Sequence, residues 1–565
     1  MNKQTADSLE QHFDTAFAAP DGIKKLRELI LTLAMQGKLV PQDPNDPPAS
    51  QLLKEIEAEK KRLVKAGKIK VPKPLPEIKA EEVPYALPMG WKWVRVRDIC
   101  HDWGQKTPDS RFTYIDVGSI DNTAGVIGKE VQILEDHEAP SRARKLVQKG
   151  TVIYSTVRPY LLNIAIVEGE FEHEPIASTA FAILHPFIGI SNRFIYSYLR
   201  SPIFIKYVES TMKGVAYPAI NDGDFFQGVF PLPPIPEQRR IVAKIDQLMA
   251  RCDELEKLRN EREQKRRSVH AAALKKLLDA PAGDSFTDAW QFITHHFGEL
   301  YAVRENVTEL RKTILQLAVM GKLVPQNPND PPASQLLKEI EAEKKCLIKE
   351  GRIRGMRSLE DAKKITQEEI PYALPQGWAW VRLSSVFNTT SGNTFDAALE
   401  KEIGAVAYVK VGDMNLPGNE LLITTSSRFI DPDERMSRSL IPTGSIIFPK
   451  RGGAIATNKK RIVGNPIFVD LNTMAITPIK GVETDYAYLW LLTIDLATLN
   501  TGTSVPQINH KDIDPLPFPL PPFKEQHRIV AKIDQLMALC DTLEHRINAA
   551  TGKQTELLGA MMAQV

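Results

Sequence analysis

The run FPLPPIPEQRRIVAKIDQLMARCDELE, beginning at Phe230, is written again as FPLPPFKEQHRIVAKIDQLMALCDTLE from Phe518. A repeat that long, with so much unlike text between its copies, makes the chain two halves of one design. Two further segments recur in the same order. LRELILTLAMQGKLVPQDPNDPPASQLLKEIEAEKKRLVKAGKI at Leu26 returns at Leu310, and VPYALPMGWKWVRV at Val83 returns at Ile370 as IPYALPQGWAWVRL. The interval between copies hardly drifts, and weaker matches extend outward to His12-Phe13 against His296-Phe297. The stretch DAPAGDS, Asp279 to Ser285, is the natural junction.

Between the constant segments, 97–229 and 383–517 have similar length and little identity. What survives is YIDVGSID against YVKVGDMN, GTVIYS against GSIIFP, and GVAYPAIN against GTSVPQIN. Alternating apolar positions with matched Gly, Pro and Asn predict shared strands and turns under a different surface. The organisation expected is a conserved helical region (1–96), a variable domain (97–229), a long helix (230–280), a second conserved helical region (281–382), a second variable domain (383–517) and a C-terminal long helix (518–565).

Pro-Leu-Pro-Pro cannot continue a helix, so one is expected to start near Pro236, with Glu237 in the first turn where a carboxylate suits the helix dipole. Ile241, Ile245, Leu248, Cys252 and Leu255 then fall at alternating spacings of four and three, as do Ile529, Ile533, Leu536, Cys540 and Leu543. That spacing is a coiled-coil seam, with the two cysteines as small core hydrophobes. A Lys, Arg, Glu and Ala-rich continuation favours helix to Leu278, a rod on the order of 60 Å. ASQLLKEIEAEKKRLVKAG reads as another amphipathic helix, with Ser50 or Ser334 as N-cap and Gly67 or Gly351 just past its end.

The 565 residues exceed one core, and 72 Lys and Arg against 70 Asp and Glu announce no class of partner. Four cysteines without CxxC or CxxxxH spacing suggest neither disulfides nor zinc and fit a reducing compartment. The N-terminus lacks a signal-peptide core, and no apolar run of about 18 residues would span a bilayer. A cytoplasmic chain without a membrane role is expected. Catalytic signatures fail one by one. NDPPAS (Asn45 to Ser50, Asn329 to Ser334) resembles the base-gripping motif of amino-methyltransferases, but Ala49 and Ala333 stand where a stacking ring is needed. GVIGKE lacks the spacing and hydroxyl of a phosphate loop, PDER lacks the rest of a metal-nuclease pattern, and the histidines form no metal site.

Local basic clusters do suggest nucleic-acid contact. The first variable domain supplies Arg142, Arg144, Lys145, Ser155, Arg158, Tyr160 and Asn163; the second supplies Lys450, Arg451, Asn458, Lys459, Lys460 and Arg461. Arg and Lys grip guanine edges or phosphates and Asn pairs with adenine. The first domain nevertheless holds 13 Lys and Arg against 16 Asp and Glu, poor for unaided nonspecific DNA affinity. Either its basic face is segregated or a partner supplies part of the grip. A duplicated scaffold with unlike inserts can hold two different readers at a set separation, as split DNA half-sites demand.

The doubled PLPP-to-CDELE run, the doubled LAMQGKLVPQDPNDPPASQLLKEIEAEK segment, LPMGWKWVRV with LPQGWAWVRL, and the glycine-bounded GTVIYS and GSIIFPKRGG together resemble the specificity subunits of type I restriction-modification systems, in their longer form with an extended N-terminal region. The resemblance implies an α+β fold: two mixed α/β target recognition domains separated by long antiparallel coiled-coil helices, related by a pseudo-two-fold internal repeat. It implies double-stranded DNA as target, two modification subunits and further restriction subunits as partners, and no cofactor or catalytic residue on this chain. S-adenosylmethionine, ATP and Mg would sit on those partners, which would methylate adenine N6, translocate and cleave. Two alternatives stay open: a self-contained methyltransferase or nuclease, and a bivalent coiled-coil adaptor for proteins. The first domain departs from the family's form at Ser155 to Arg158, where the second has the basic-glycine KRGG.

Overall fold

The duplicated Phe-Pro-Leu runs are strands. In the computed structural model, Val229–Leu232 pairs antiparallel with Lys92–Arg95, and Pro517–Leu520 pairs in the same way with Ala379–Arg382. Each is a two-stranded ribbon, all edge, so its prolines disturb no ladder. Each ribbon fastens the two ends of a variable segment together. A long helix follows each: Ile235–Asp279, about 68 Å at 1.5 Å per residue, and Phe523–Ala563, about 62 Å. The structure describes residues 3–71, 74–128, 131–214, 216–281, 283–351, 365–499 and 505–564. Ala282 of the expected junction, Val215 of GVAYPAIN, the first three residues of GTSVPQIN and 352–364 of the second conserved region lie outside these.

The chain divides into two units, Met1–Arg262 with Ala550–Val565, and Glu263–Ala549. Each long helix therefore begins in one unit and ends in the other. In the first unit, Leu558 and Met561 at the end of the second long helix pack with Ala16, Phe17 and Leu29 of helices Lys3–Phe17 and Gly22–Met35. In the second, Ala273, Leu274 and Leu277 at the end of the first long helix join Ile293, Leu300 and Val307. Each unit is thus completed by the tail of the other repeat's helix.

The start of each long helix is held by a buried Glu-Gln pair. Glu237 accepts from Trp91 Nε1 (2.8 Å) and Gln42 Nε2 (2.6 Å), while Gln238 Oε1 accepts from Ser191 N (2.9 Å). In the second unit Glu525 accepts from Gln326 Nε2 (3.2 Å) and Gln526 Oε1 from Glu483 N (2.8 Å). Burial raises both carboxyls above the ordinary range, and the donated hydrogen bonds oppose that rise. Arg27 with Asp253 and Glu256, and Arg311 with Asp541 and Glu544, repeat the same economy further along.

Two expectations are corrected here. Ile241, Ile245 and Cys252 are buried, with Leu248 against them, in the core of the first unit beside Ile30, Leu31 and Met35; Leu255 is 46% exposed. At that turn Asp253 and Glu256 face Arg27, so the apolar stripe runs on past what its neighbour covers. Ile529, Ile533 and Cys540 are buried and Leu536 and Leu543 pack against them in the second unit. Ser50 and Ser334 are not N-caps: helices Ala49–Lys65 and Ala333–Lys349 start one residue earlier, behind Pro48 and Pro332, with no side-chain cap. Gly67 and Gly351 do sit in the left-handed region past the helix ends, φ 66° and 69°.

Each variable segment is a mixed sheet structure. In the first, Phe112–Ile115 lies parallel to Glu174–Ser178, and Val152–Ser155 lies between Phe181–Pro186 and Ile164–Ile166. In the second, Val406–Val409 lies parallel to Phe468–Val469, and Ile446–Pro449 lies between Thr473–Pro478 and Arg461–Val463. The strands shared between the halves include those of GTVIYS and GSIIFP and those opening YIDVGSID and YVKVGDMN, each of the latter followed by a 3-10 turn.

In the first segment His185 stands opposite His101 across an antiparallel pair, with ring centroids 5.2 Å apart and Trp103 against both. Burial, then the neighbouring His101, pulls His185 down to about 4. Its ordinary value is 6.5, so between about 6.5 and 4 the unfolded chain binds more protons than the folded one. Stability is therefore lost as pH falls through that window. We predict that His185→Gln flattens the fall of melting temperature between pH 7 and 4.5; a slope equal to that of the unchanged protein would refute the assignment.

Candidate nucleic-acid interface

The loops that follow the shared strands have the same backbone frame in both units. After Val152–Ser155, Val157 bridges Ala219 and Arg158 N donates to Pro218 O (2.8 Å). After Ile446–Pro449, Arg451 bridges Gln507 and Gly452 N donates to Pro506 O (2.8 Å). A short 3-10 turn follows each, Pro159–Leu161 and Gly453–Thr457, closed by a left-handed residue, Leu162 and Asn458, both at φ 52°. Gly452 takes φ 75° at no steric cost, whereas its counterpart Arg158 takes φ 47° with a Cβ, which costs about 1 kcal/mol. The strain is held by the Pro218 contact and by the Arg158 guanidinium lying 5.0 Å over the Tyr217 ring.

The residues expected to touch nucleic acid separate into two sets. Arg142, Arg158, Tyr160 and Arg451 are exposed. Lys450 is half-buried with its Nζ on Ser391 Oγ (2.9 Å), and burial and then Arg451 lower its pKa. Arg144 bonds Ala143 O (2.8 Å), Lys459 bonds Asn415, and the Asn163 carbonyl accepts from Ser155 N (2.9 Å).

The other set is structural, a correction to the sequence reading. Lys145 is buried, donating to Phe181 O (2.6 Å) and Asp222 (2.8 Å). Ser155 is buried with its hydroxyl on Val157 O (2.9 Å). Lys460 is 1% exposed, bonded to Asn458 Oδ1 and Ile494 O (each 2.7 Å), and burial pushes it down to about 8. Asn458 Oδ1 also accepts from Leu496 N (2.9 Å). Arg461 bonds the carbonyls of Asn419, Lys460 and Met414. Lys145, Ser155, Lys460 and Arg461 give donors to carbonyls that would be costly to leave unpaired, and Asn458 gives the acceptor for Lys460 and Leu496 N.

Sequence reasoning passed over Tyr217, 71% exposed, although it lies in the quoted GVAYPAIN run, and Ser391 and His510, which carry no local signal. Among the described residues no group of three His, Cys, Asp or Glu could hold a metal ion, and no helix is long and apolar enough to cross a membrane. Both loops offer hydrogen-bond donors, and the first adds the Arg158–Tyr217 cation–π pair. Lys145→Ala and Lys460→Ala should each lower stability by about 1–3 kcal/mol in chemical denaturation, while Arg451→Ala leaves it unchanged; equal effects would cancel the division into two sets.

A family model described as type I restriction modification DNA specificity domain matches residues 88–263 and 375–551, once in each repeat. The chain is 34% identical over 569 residues to the type I restriction enzyme EcoAI specificity subunit of Escherichia coli, spanning 95% of this chain and 92% of that one. To the EcoEI specificity subunit of Escherichia coli it is 30% identical over 566 residues, 96% and 93% of the two chains. A chain from a solved structure concerned with complex assembly and conformational transition of the type I R-M system shares the fold, with TM-score 0.51 and 23% identity over 85% of this chain and 98% of that one. The doubled domain match and the near full-length likeness to two specificity subunits establish that this protein belongs to the type I restriction-modification specificity subunits, as a non-catalytic DNA-recognition chain.

Proposed function

We propose that this chain reads an asymmetric, two-part site on double-stranded DNA, one half per unit, and carries the subunits that act there. The observation behind the reading is the pair of loops with one backbone frame and unlike side chains: Thr156, Val157 and Arg158 in the first unit, Lys450, Arg451 and Gly452 in the second. A common frame presents side chains at one place, and different side chains select different bases. Two modification subunits bring S-adenosylmethionine and methylate adenine, restriction subunits bring ATP and Mg, and the complex works in the cytoplasm. The acidic balance of the first variable segment agrees with a grip shared with those partners.

Mapping methylated adenines in the genome of a host expressing the chain with its modification subunit tests this directly. A split, asymmetric motif is expected; a continuous or palindromic one would contradict two unlike readers. Retention of S-adenosylmethionine by the chain alone in equilibrium dialysis would favour a self-contained methyltransferase instead. Absence of sequence-selective DNA retention with modification subunits present would favour a protein adaptor.

Arg451→Ala is expected to relax recognition of one half of the motif and Arg158→Ala of the other, scored by the same mapping. Loss at both halves from either change would contradict independent reading. Both long helices carry the chain from one unit to the other, so a whole-turn insertion near Arg262 needs a matching one near Ala550. The matched pair should lengthen the gap in the methylated motif and keep both halves; an unchanged gap would mean that the helices do not set it.

A further inference from the structure

We propose that His510, Ser391 and Lys450 form one hydrogen-bonded reading head in the second unit, in which His510 and Ser391 position the Lys450 ammonium for an oxygen acceptor on DNA. The inference rests on the half-site reading above and extends it to two residues without local sequence signal. Three elements converge on the head: Ser391 ends strand Phe387–Ser391, Lys450 follows strand Ile446–Pro449, and His510 opens the short helix His510–Ile513. Lys450 Nζ lies 2.9 Å from Ser391 Oγ, which lies 3.1 Å from His510 Nε2.

An ammonium has only donors, so Ser391 Oγ accepts from Lys450 and shares a second hydrogen bond with His510 Nε2. On the other side of the ring, His510 Nδ1 lies 3.8 Å from Asp514. Asp514 is in turn held by Thr389 Oγ1 (2.8 Å). The line joins exposed His510 to half-buried Lys450, whose other donors meet no protein acceptor among the described residues. Arg451 is exposed at the adjacent position. A half-buried ammonium beside an exposed guanidinium suits an oxygen that carries negative charge or partial charge. A phosphodiester and the O6 edge of guanine share that chemistry.

Ser391, His510 and Asp514 have the order of a charge relay without its action. The Nδ1 to carboxylate separation exceeds a hydrogen bond, and a proton donated into the serine oxygen by lysine lowers its nucleophilicity. Among the described residues the first unit has no such head. Thr156, at the position of Lys450, bonds Ala180 O (2.8 Å), and Asp222, at that of His510, is taken by Lys145.

The test uses the full chain assembled with its modification subunits and duplexes carrying the mapped motif, or that motif with one half replaced, in anisotropy titrations at several salt concentrations. Ser391→Ala and His510→Ala are expected to weaken binding on the order of ten-fold through the second unit's half only, with melting temperature unchanged. Ser391→Thr and His510→Gln, which keep the acceptor, should restore it. A loss uniform over sequences with a salt slope smaller by about one identifies a phosphodiester; a loss confined to one base pair with an unchanged slope identifies a base edge. His510→Ala should add little to Lys450→Ala, because both remove the same head. Binding by Ser391→Ala and His510→Ala equal to that of the unchanged protein, or full additivity of the double variant, overturns the head and leaves half-site reading standing. Failure of the unchanged complex to distinguish half-replaced duplexes overturns both.

Discussion

A carboxylate buried at the first turn of each long helix organises everything around it. Glu237 and Glu525 are 2% and 1% exposed, a position that would be prohibitive without donors. The donors come from the conserved helical region, Trp91 and Gln42 in the first unit and Gln326 in the second, while the adjoining glutamine reaches the variable segment through Ser191 or Glu483. Three parts of the chain far apart in sequence are thus pinned within one helical turn. Whatever the variable segment recognises, its orientation relative to the helix is set there.

The exchange of helix tails follows from the same duplicated plan. A repeat whose final helix completes its own core would give two separable domains. Here Leu558 and Met561 serve the first unit and Leu274 and Leu277 the second, so neither repeat buries its apolar surface with its own residues alone. The two units are consequently joined by two helical connections, one from each repeat.

The two loops differ in their side chains while keeping a common set of backbone contacts. The bridge from strand end to the Pro218 or Pro506 loop, and the left-handed closure at Leu162 or Asn458, are backbone features that tolerate many side chains. Gly452 takes its positive φ without a Cβ, in an extended conformation (ψ −170°); Arg158 at the equivalent position is left-handed (ψ 55°) and strained, held by Tyr217. The first loop thus carries a strained, exposed arginine at the position of Gly452, and the second a hydrogen-bonded lysine and an exposed arginine at the positions of Thr156 and Val157.

The duplication, the long helices and the two sheet-bearing segments were legible in the chain alone, because repeats, helical periodicity and turn residues are local patterns. The apolar stripe was legible too, but not its extent: Leu255 continues the spacing and yet is exposed, since coverage depends on which face a neighbouring helix presents. The candidate site was half legible. Basic residues marked loops that carry exposed cations, but Lys145 and Lys460 turn inward to carbonyls supplied by Phe181 and Ile494, distant partners that no spacing reveals. Ser391, Lys450 and His510 meet only because three elements fold to one edge, and a hydrogen bond of about 3 Å is a property of that convergence. Composition and order along the chain specify the parts; which polar groups are left over to face DNA follows from how those parts satisfy one another.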